Sequence, residues 1–332
     1  MKLNLQKLIV PPIYLTVLTY LVSFGMWVST YYIYQYPYPM SGRIGTFAEG
    51  ILPSSSLAAH LLSFGVMMLN SFLLAQMNNK YSFIRTRTFM PTFVYLLLST
   101  CWLPVHGNYV ANLAALLLLL VVFLTLGMYK NSQAMEQAFL SSFVLGLSTF
   151  LVPEFVYLIV LIWVGYFFLK CSSFRVFVAS FLGLITPWIL LLSTFYFLHD
   201  NLDYIYRIPT FLYKYSFFSH KNISTNIYFG ILALIVVFSL FQMTANARRD
   251  SIQIRNELTF IKLVGFGVLM LSVLRFSNNI SYLPTIAIFY AIIVAYAFTL
   301  IRNLFNSIVF IMLCVISFIF MFYRIILYNW IV

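Results

Sequence analysis

Eleven apolar runs, at about residues 9–34, 57–77, 89–104, 109–128, 139–152, 155–169, 176–198, 226–244, 260–276, 283–300 and 304–323, take up most of the chain. Inside a bilayer no water is at hand for backbone N–H and C=O groups, so a spanning segment must be a helix or a strand of a closed barrel. Barrel strands alternate apolar and polar residues, whereas these runs are continuous. The pattern predicts an all-α fold, a polytopic transmembrane helical bundle of about eleven spans.

Composition leaves little room for anything else. Of 332 residues, 63% are hydrophobic, 19% aromatic and only 8% charged, where soluble domains carry roughly 25% charged residues. The longest interval without an apolar run, about 199–225, is too short to bury a core of its own. Residues 1–332 are therefore read as a single integral membrane domain. The opening MKLNLQK sets lysines before an apolar run, as a signal peptide does. That run exceeds the roughly 7–15 residues of a signal core and lacks a small-x-small cleavage site, so a retained first span is expected. Cys101, Cys171 and Cys314 lie scattered through apolar segments without CxxC spacing and are expected to pack as small hydrophobes.

A net charge of +12 points to membrane orientation rather than to nucleic acid, because the basic residues stand dispersed between the runs. With the amino terminus in the cytoplasm and the sides alternating, thirteen of the nineteen Lys and Arg fall inside. The opposite choice inverts the positive-inside bias, so the amino terminus is expected to be cytoplasmic. Tyr31, Tyr32, Tyr36, Tyr38, Trp102 and Trp330, at the ends of runs, suit interfacial belts.

Only seven acids are present: Glu49, Glu136, Glu154, Asp200, Asp203, Asp250 and Glu257. On this topology Glu136, Asp250 and Glu257 belong to cytoplasmic loops beside basic residues and are expected to be solvated. The outer side holds the other four. Glu154 follows Pro153 inside GLSTFLVPEFVYLIVLIWVGYFF. Counted from about residue 139, some fifteen helical residues rise roughly 22 Å, against a hydrocarbon thickness of about 30 Å. Two short helices are thus expected to meet beneath the outer surface. There Glu154 either faces a cavity or partner, since a bare carboxylate at that depth costs about 2.5–3.5 kcal/mol, or it caps the following helix, where an acid suits the dipole.

The remaining candidates are spread along the outer side. Glu49 and Arg43 share the loop YPYPMSGRIGTFAEGILPSSS, where an acid can serve as a general base or stay solvated. Asp200 and Asp203, three apart, can share a helical face as paired carboxylates or form an ordinary polar helix end. Arg207 follows in the same loop. Arg275 closes the ninth run against the positive-inside trend, either snorkelling or clamping a lipid phosphate through its planar fork. His106, in the tight turn WLPVHGNY, is placed for acid/base work or simple exposure. The chain has no GxxxxGK[ST] loop, HExxH, GxSxG or dinucleotide glycine fingerprint. The motifs assign no metal and leave the cofactor unknown; Glu49, or Asp200 with Asp203, could also ligate a divalent ion. An ion-coupled transporter calls for acids inside several spans or paired broken helices, and only the Pro153–Glu154 break qualifies.

The stretch from Arg85 to Asp200, with RTRTFMPTFVYLLL, LPVHGNY and AFLSSFVLGLSTFLVPEFVYLIVLIWVGYFFLK, resembles the middle of GT-C class glycosyltransferases, which use lipid-linked sugars. Together with SFRVFVASFLGLITPWILLLSTFYFL it is also similar to an uncharacterised polytopic inner-membrane family of Bacteroidota bacteria. The resemblance implies a GT-C-like bundle in a bacterial inner (cytoplasmic) membrane, with polyprenyl phosphate as the lipid partner. It implies Glu49 as the base acting on an acceptor hydroxyl. Arg275, helped by Arg207, would face the departing phosphate, and Arg43, His106, Glu154, Asp200 and Asp203 would line the substrate side. The scarcity of acids favours a rival reading, a non-catalytic envelope-biogenesis partner or a small-solute transporter.

Overall fold

The computed structural model describes residues 13–33, 56–84, 88–199, 223–274, 281–300 and 304–331. Within them lie α1 (Ile13–Ile33), α2 (Ser56–Tyr81), α3 (Met90–Cys101), α4 (Tyr109–Leu126), α5 (Met135–Leu151), α6 (Leu158–Phe168), α7 (Phe174–His199), α8 (Ile223–Asn246), α9 (Ile252–Leu274), α10 (Leu283–Leu300) and α11 (Leu304–Ile331). Three 3-10 turns, Leu103–Val105, Pro153–Tyr157 and Ala247–Arg249, complete the described elements. The protein is an all-α, polytopic membrane bundle. Among the described residues six helices are long and apolar enough to cross a bilayer: α2, α4, α7, α8, α9 and α11. Each expected run is occupied by a helix, but α3, α5 and α6 are shorter. The 12 residues of α3 rise only about 18 Å.

Burial sorts the helices into an inner and an outer set. α3 and α10 are enclosed almost completely, and residues 287–298 of α10 are buried on every face. A helix that is apolar all round belongs in such a place. α1, α7, α8, α9 and α11 turn large apolar side chains outward, among them Leu21, Leu234, Phe241, Phe266 and Phe322. Exposed apolar area on that scale marks a lipid-facing surface.

Glycines set the closest approaches. A Cβ on Gly183 of α7 would lie 2.3 Å from the Phe139 carbonyl oxygen of α5, and one on Gly146 of α5 would lie 2.8 Å from the Leu184 carbonyl oxygen. Backbones meet this closely where small residues replace the hydrophobic drive that lipid cannot supply. Gly165 of α6 meets the Phe260 ring of α9 in the same manner.

Successive helices run in alternating directions, which gives the bundle two ends. At one, the Lys130 amide donates to the Leu169 carbonyl at 3.0 Å, and the Ser173 hydroxyl donates to the Ser132 carbonyl at 2.8 Å. The Gln242 and Asn306 side-chain amides pair there at 2.8 and 3.2 Å. Lys80, Lys130, Lys170, Arg175, Arg248, Arg249 and Arg255 all belong to this basic end.

Two expectations fail here. Asp250 and Glu257, read as solvated, are 8% and 0% exposed. The cause is that α9 begins at Ile252, eight residues before the apolar run, so its first turns pack Ile254, Glu257 and Leu258 inward. Tyr296 donates its hydroxyl to Asp250. Trp102, read as an interfacial anchor, is only 2% exposed and donates to the Tyr228 hydroxyl at 3.0 Å.

Candidate functional site

The opposite end carries the described candidates, His106 and Glu154, on two short connections. Glu49, Arg43, Asp200, Asp203, Arg207 and Arg275 lie outside the described residues.

The first connection follows α3. Leu103–Val105 coils into a 3-10 turn, His106 is extended, and Gly107 takes φ 75°, a left-handed value that glycine adopts without strain. Asn108 then caps α4, its side chain accepting from the Ala111 amide at 3.0 Å. This turn drives the His106 ring inward, to 1% exposure, rather than out to solvent. The ring stacks on Trp27 of α1, with centroids 3.9 Å apart and planes 20° apart. Nε2 donates to the Ser99 carbonyl at 3.1 Å, which leaves Nδ1 of a neutral ring to accept from the Thr30 hydroxyl at 2.7 Å. That hydroxyl also lies 2.7 Å from the Trp27 carbonyl, so one hydrogen serves two acceptors. Burial, and the nearby charge His60 would carry, push His106 down to about 3, so the ring is neutral at ordinary pH.

His60 of α2 completes the cluster. Its Nε2 donates to the Trp27 carbonyl at 2.8 Å, and Trp27 Nε1 donates back to the His60 carbonyl at 3.3 Å. The two imidazole centroids are 6.2 Å apart. Deeper in the bundle, Asn112 of α4 donates to the Ser63 hydroxyl at 2.9 Å and to the Val105 carbonyl at 3.1 Å. The cluster thus ties α1, α2 and α4 to the turn that carries His106. Trp27, Thr30, His60, Ser63 and Asn112 escaped the sequence reading, although His60, Asn70 and Asn112 carried a signal. A polar side chain within an apolar run has to find a partner in the bundle interior.

The second connection lies between α5 and α6. α5 ends at Leu151, the Val152 amide bonds the Ser148 carbonyl at 2.9 Å, and Val152 turns extended at φ −132° and ψ 94°. Pro153 opens the 3-10 turn because its missing N–H costs nothing in a first turn. Glu154 follows, half-buried, in that first turn. Its neighbour Phe155 is fully buried, with its ring 6.0 Å from that of Tyr282. Tyr282 immediately precedes α10, so the tip of the α5–α6 junction packs against the start of that helix.

Among the described residues no group of three or more His, Cys, Asp and Glu is placed to hold a metal ion. Comparison with protein-family models, curated proteins and solved structures finds no match to this chain. The established description is that of a multi-pass integral membrane protein with a buried histidine–tryptophan cluster at the end opposite its basic connections.

Proposed function

We propose that the protein is a GT-C-like glycosyltransferase of a bacterial inner membrane, handling a polyprenyl-phosphate-linked sugar at the outer face. The basic end would then be cytoplasmic, as the positive-inside bias favours. One observation carries the reading: the packing of Phe155 on Tyr282 brings the Glu154 junction against the start of α10. Arg275, which lies outside the described residues, precedes Tyr282 by seven positions in the chain, and the reading joins it with Glu154 on the substrate side. In this reading Glu49 removes the acceptor hydroxyl proton, and Arg275 with Arg207 stabilises charge on the departing carrier phosphate. Arg43, Glu154, Asp200 and Asp203 belong to the substrate side, whereas His106, enclosed with both ring nitrogens bonded, holds the turn after α3 in shape. The test is transfer from a polyprenyl-phosphate sugar in proteoliposomes. Glu49→Gln is expected to abolish turnover while leaving donor binding intact, and a fully active Glu49→Gln enzyme would overturn the assignment.

A second reading, a small-solute transporter, draws on Glu257. Its carboxyl is fully buried in α9, Oε1 accepts from Gln253 at 2.8 Å, and Oε2 has no partner. A buried acid within a span is a common element of coupled transport. Solute flux in proteoliposomes that Glu257→Gln leaves unchanged would count against it.

A further inference from the structure

Behind the histidine–tryptophan cluster, four buried polar atoms on three adjacent helices have no hydrogen-bond partner: Asn70 Oδ1 of α2, Tyr95 OH and Ser99 Oγ of α3, and Asn112 Oδ1 of α4. All four residues are fully buried. Tyr95 and Ser99 stand four apart on one face of α3. The Tyr95 hydroxyl lies beside both the Ser99 and the Asn70 side chains, yet completes a hydrogen bond to neither.

Turning the amides over does not relieve the deficit. Asn70 Nδ2 donates to the Asn112 carbonyl at 3.1 Å, and Asn112 Nδ2 donates to Ser63 Oγ and the Val105 carbonyl. Exchanging O and N in either residue would break these bonds and set oxygen against oxygen. Both amide oxygens therefore remain unpaired acceptors inside a bundle that lipid surrounds. Leaving a buried polar group unpaired forfeits its hydration without replacement, so four together call for a ligand. That ligand must donate to two amide oxygens and bridge two hydroxyls that approach without bonding. A cation is ill-suited, because it would leave the Tyr95 and Ser99 hydroxyl hydrogens without an acceptor. Water supplies two donors and two acceptors, and buried waters characteristically make about three bonds of this kind.

We propose that the interface of α2, α3 and α4 around Asn70, Tyr95, Ser99 and Asn112 is a binding site for structural water, a hydrated seam directly behind His106. It begins where the Ser99 carbonyl accepts from His106 Nε2 and continues inward past Tyr95. This inference is independent of any glycosyl transfer.

Radiolytic hydroxyl-radical labelling of the full-length protein in nanodiscs tests it, since water held beside a side chain generates the radical on the spot. Tyr95 and Tyr296 are both 0% exposed, but the Tyr296 hydroxyl is bonded to Asp250. Bound water should label Tyr95 readily and leave Tyr296 unlabelled, with exposed Tyr32 as the bulk reference. Asn70→Leu combined with Ser99→Ala should abolish the Tyr95 label while Tyr296 stays protected. A variant that also labels Tyr296 has lost its fold, and Ser99→Ala alone then carries the test through a reduced Tyr95 label. Tyr95 labelling no faster than Tyr296 in the native protein, or unchanged in a folded variant, would overturn the proposal.

Discussion

At the scale of single residues, the polar groups of this chain are placed more deliberately than their small number suggests. His106 is held neutral between the Ser99 carbonyl and the Thr30 hydroxyl, with His60 as its titratable neighbour. In the unfolded chain the ring takes a proton below about 6.5, whereas in the bundle it resists protonation down to about 3. The resulting stability is fully present above the unfolded value and is lost progressively as pH falls from there towards the folded one. Unfolding midpoints in detergent should therefore drop across that window in the native protein, and His106→Gln should flatten the drop. An equal acid slope in both proteins would remove His106 from the account. Lys170 shows a different economy. It adopts φ 55° at the end of α6, where the Lys170 amide bonds the Phe167 carbonyl and the Cys171 amide bonds the Tyr166 carbonyl. This arrangement usually takes glycine, since a side chain there costs roughly 1–2 kcal/mol. Lys170→Gly should raise the melting temperature, by about 1 kcal/mol of stability, while weakening the bias that orients the helices.

At the scale of elements, the crossings of α5 with α7 and of α6 with α9 depend on missing Cβ atoms, and the obstacle decides the cost of adding one. At Gly183 the new carbon would press on the Phe139 backbone, which cannot yield, whereas at Gly267 it would meet the tip of the Leu161 side chain at 2.1 Å. Gly183→Ala should destabilise by about 1–3 kcal/mol, Gly267→Ala by less as Leu161 rotates away, and the pair can be ranked by thermal unfolding in detergent. The same elements show what the sequence disclosed. Apolar runs located every described helix, and Pro153 located the break between α5 and α6, because both signals are local. The first turns of α9 were invisible to that reasoning, since Gln253, Arg255 and Glu257 lower the hydropathy while Ile254 and Leu258 still pack inward. Partners distant in sequence were equally hidden. Nothing local says that Thr30 meets His106, 76 residues away, or that Trp102 meets Tyr228 across 126.

At the scale of the whole molecule, the bundle has one basic end and one end that holds the buried histidine cluster and the Glu154 junction. Among the described residues Asn131 is exposed at the first, and Tyr157 is exposed at the second. In a background freed of Cys101, Cys171 and Cys314, a membrane-impermeant maleimide applied to spheroplasts should label Tyr157→Cys at once and Asn131→Cys only after permeabilisation. The reverse order would invert the orientation, and with it the outer location of the proposed chemistry. That chemistry is tested most directly by mass spectrometry of lipid retained by the purified protein. The native protein should carry a polyprenyl phosphate that Arg275→Ala loses. A native protein carrying only bulk phospholipid, together with full complementation by Glu49→Gln, would contradict the proposal.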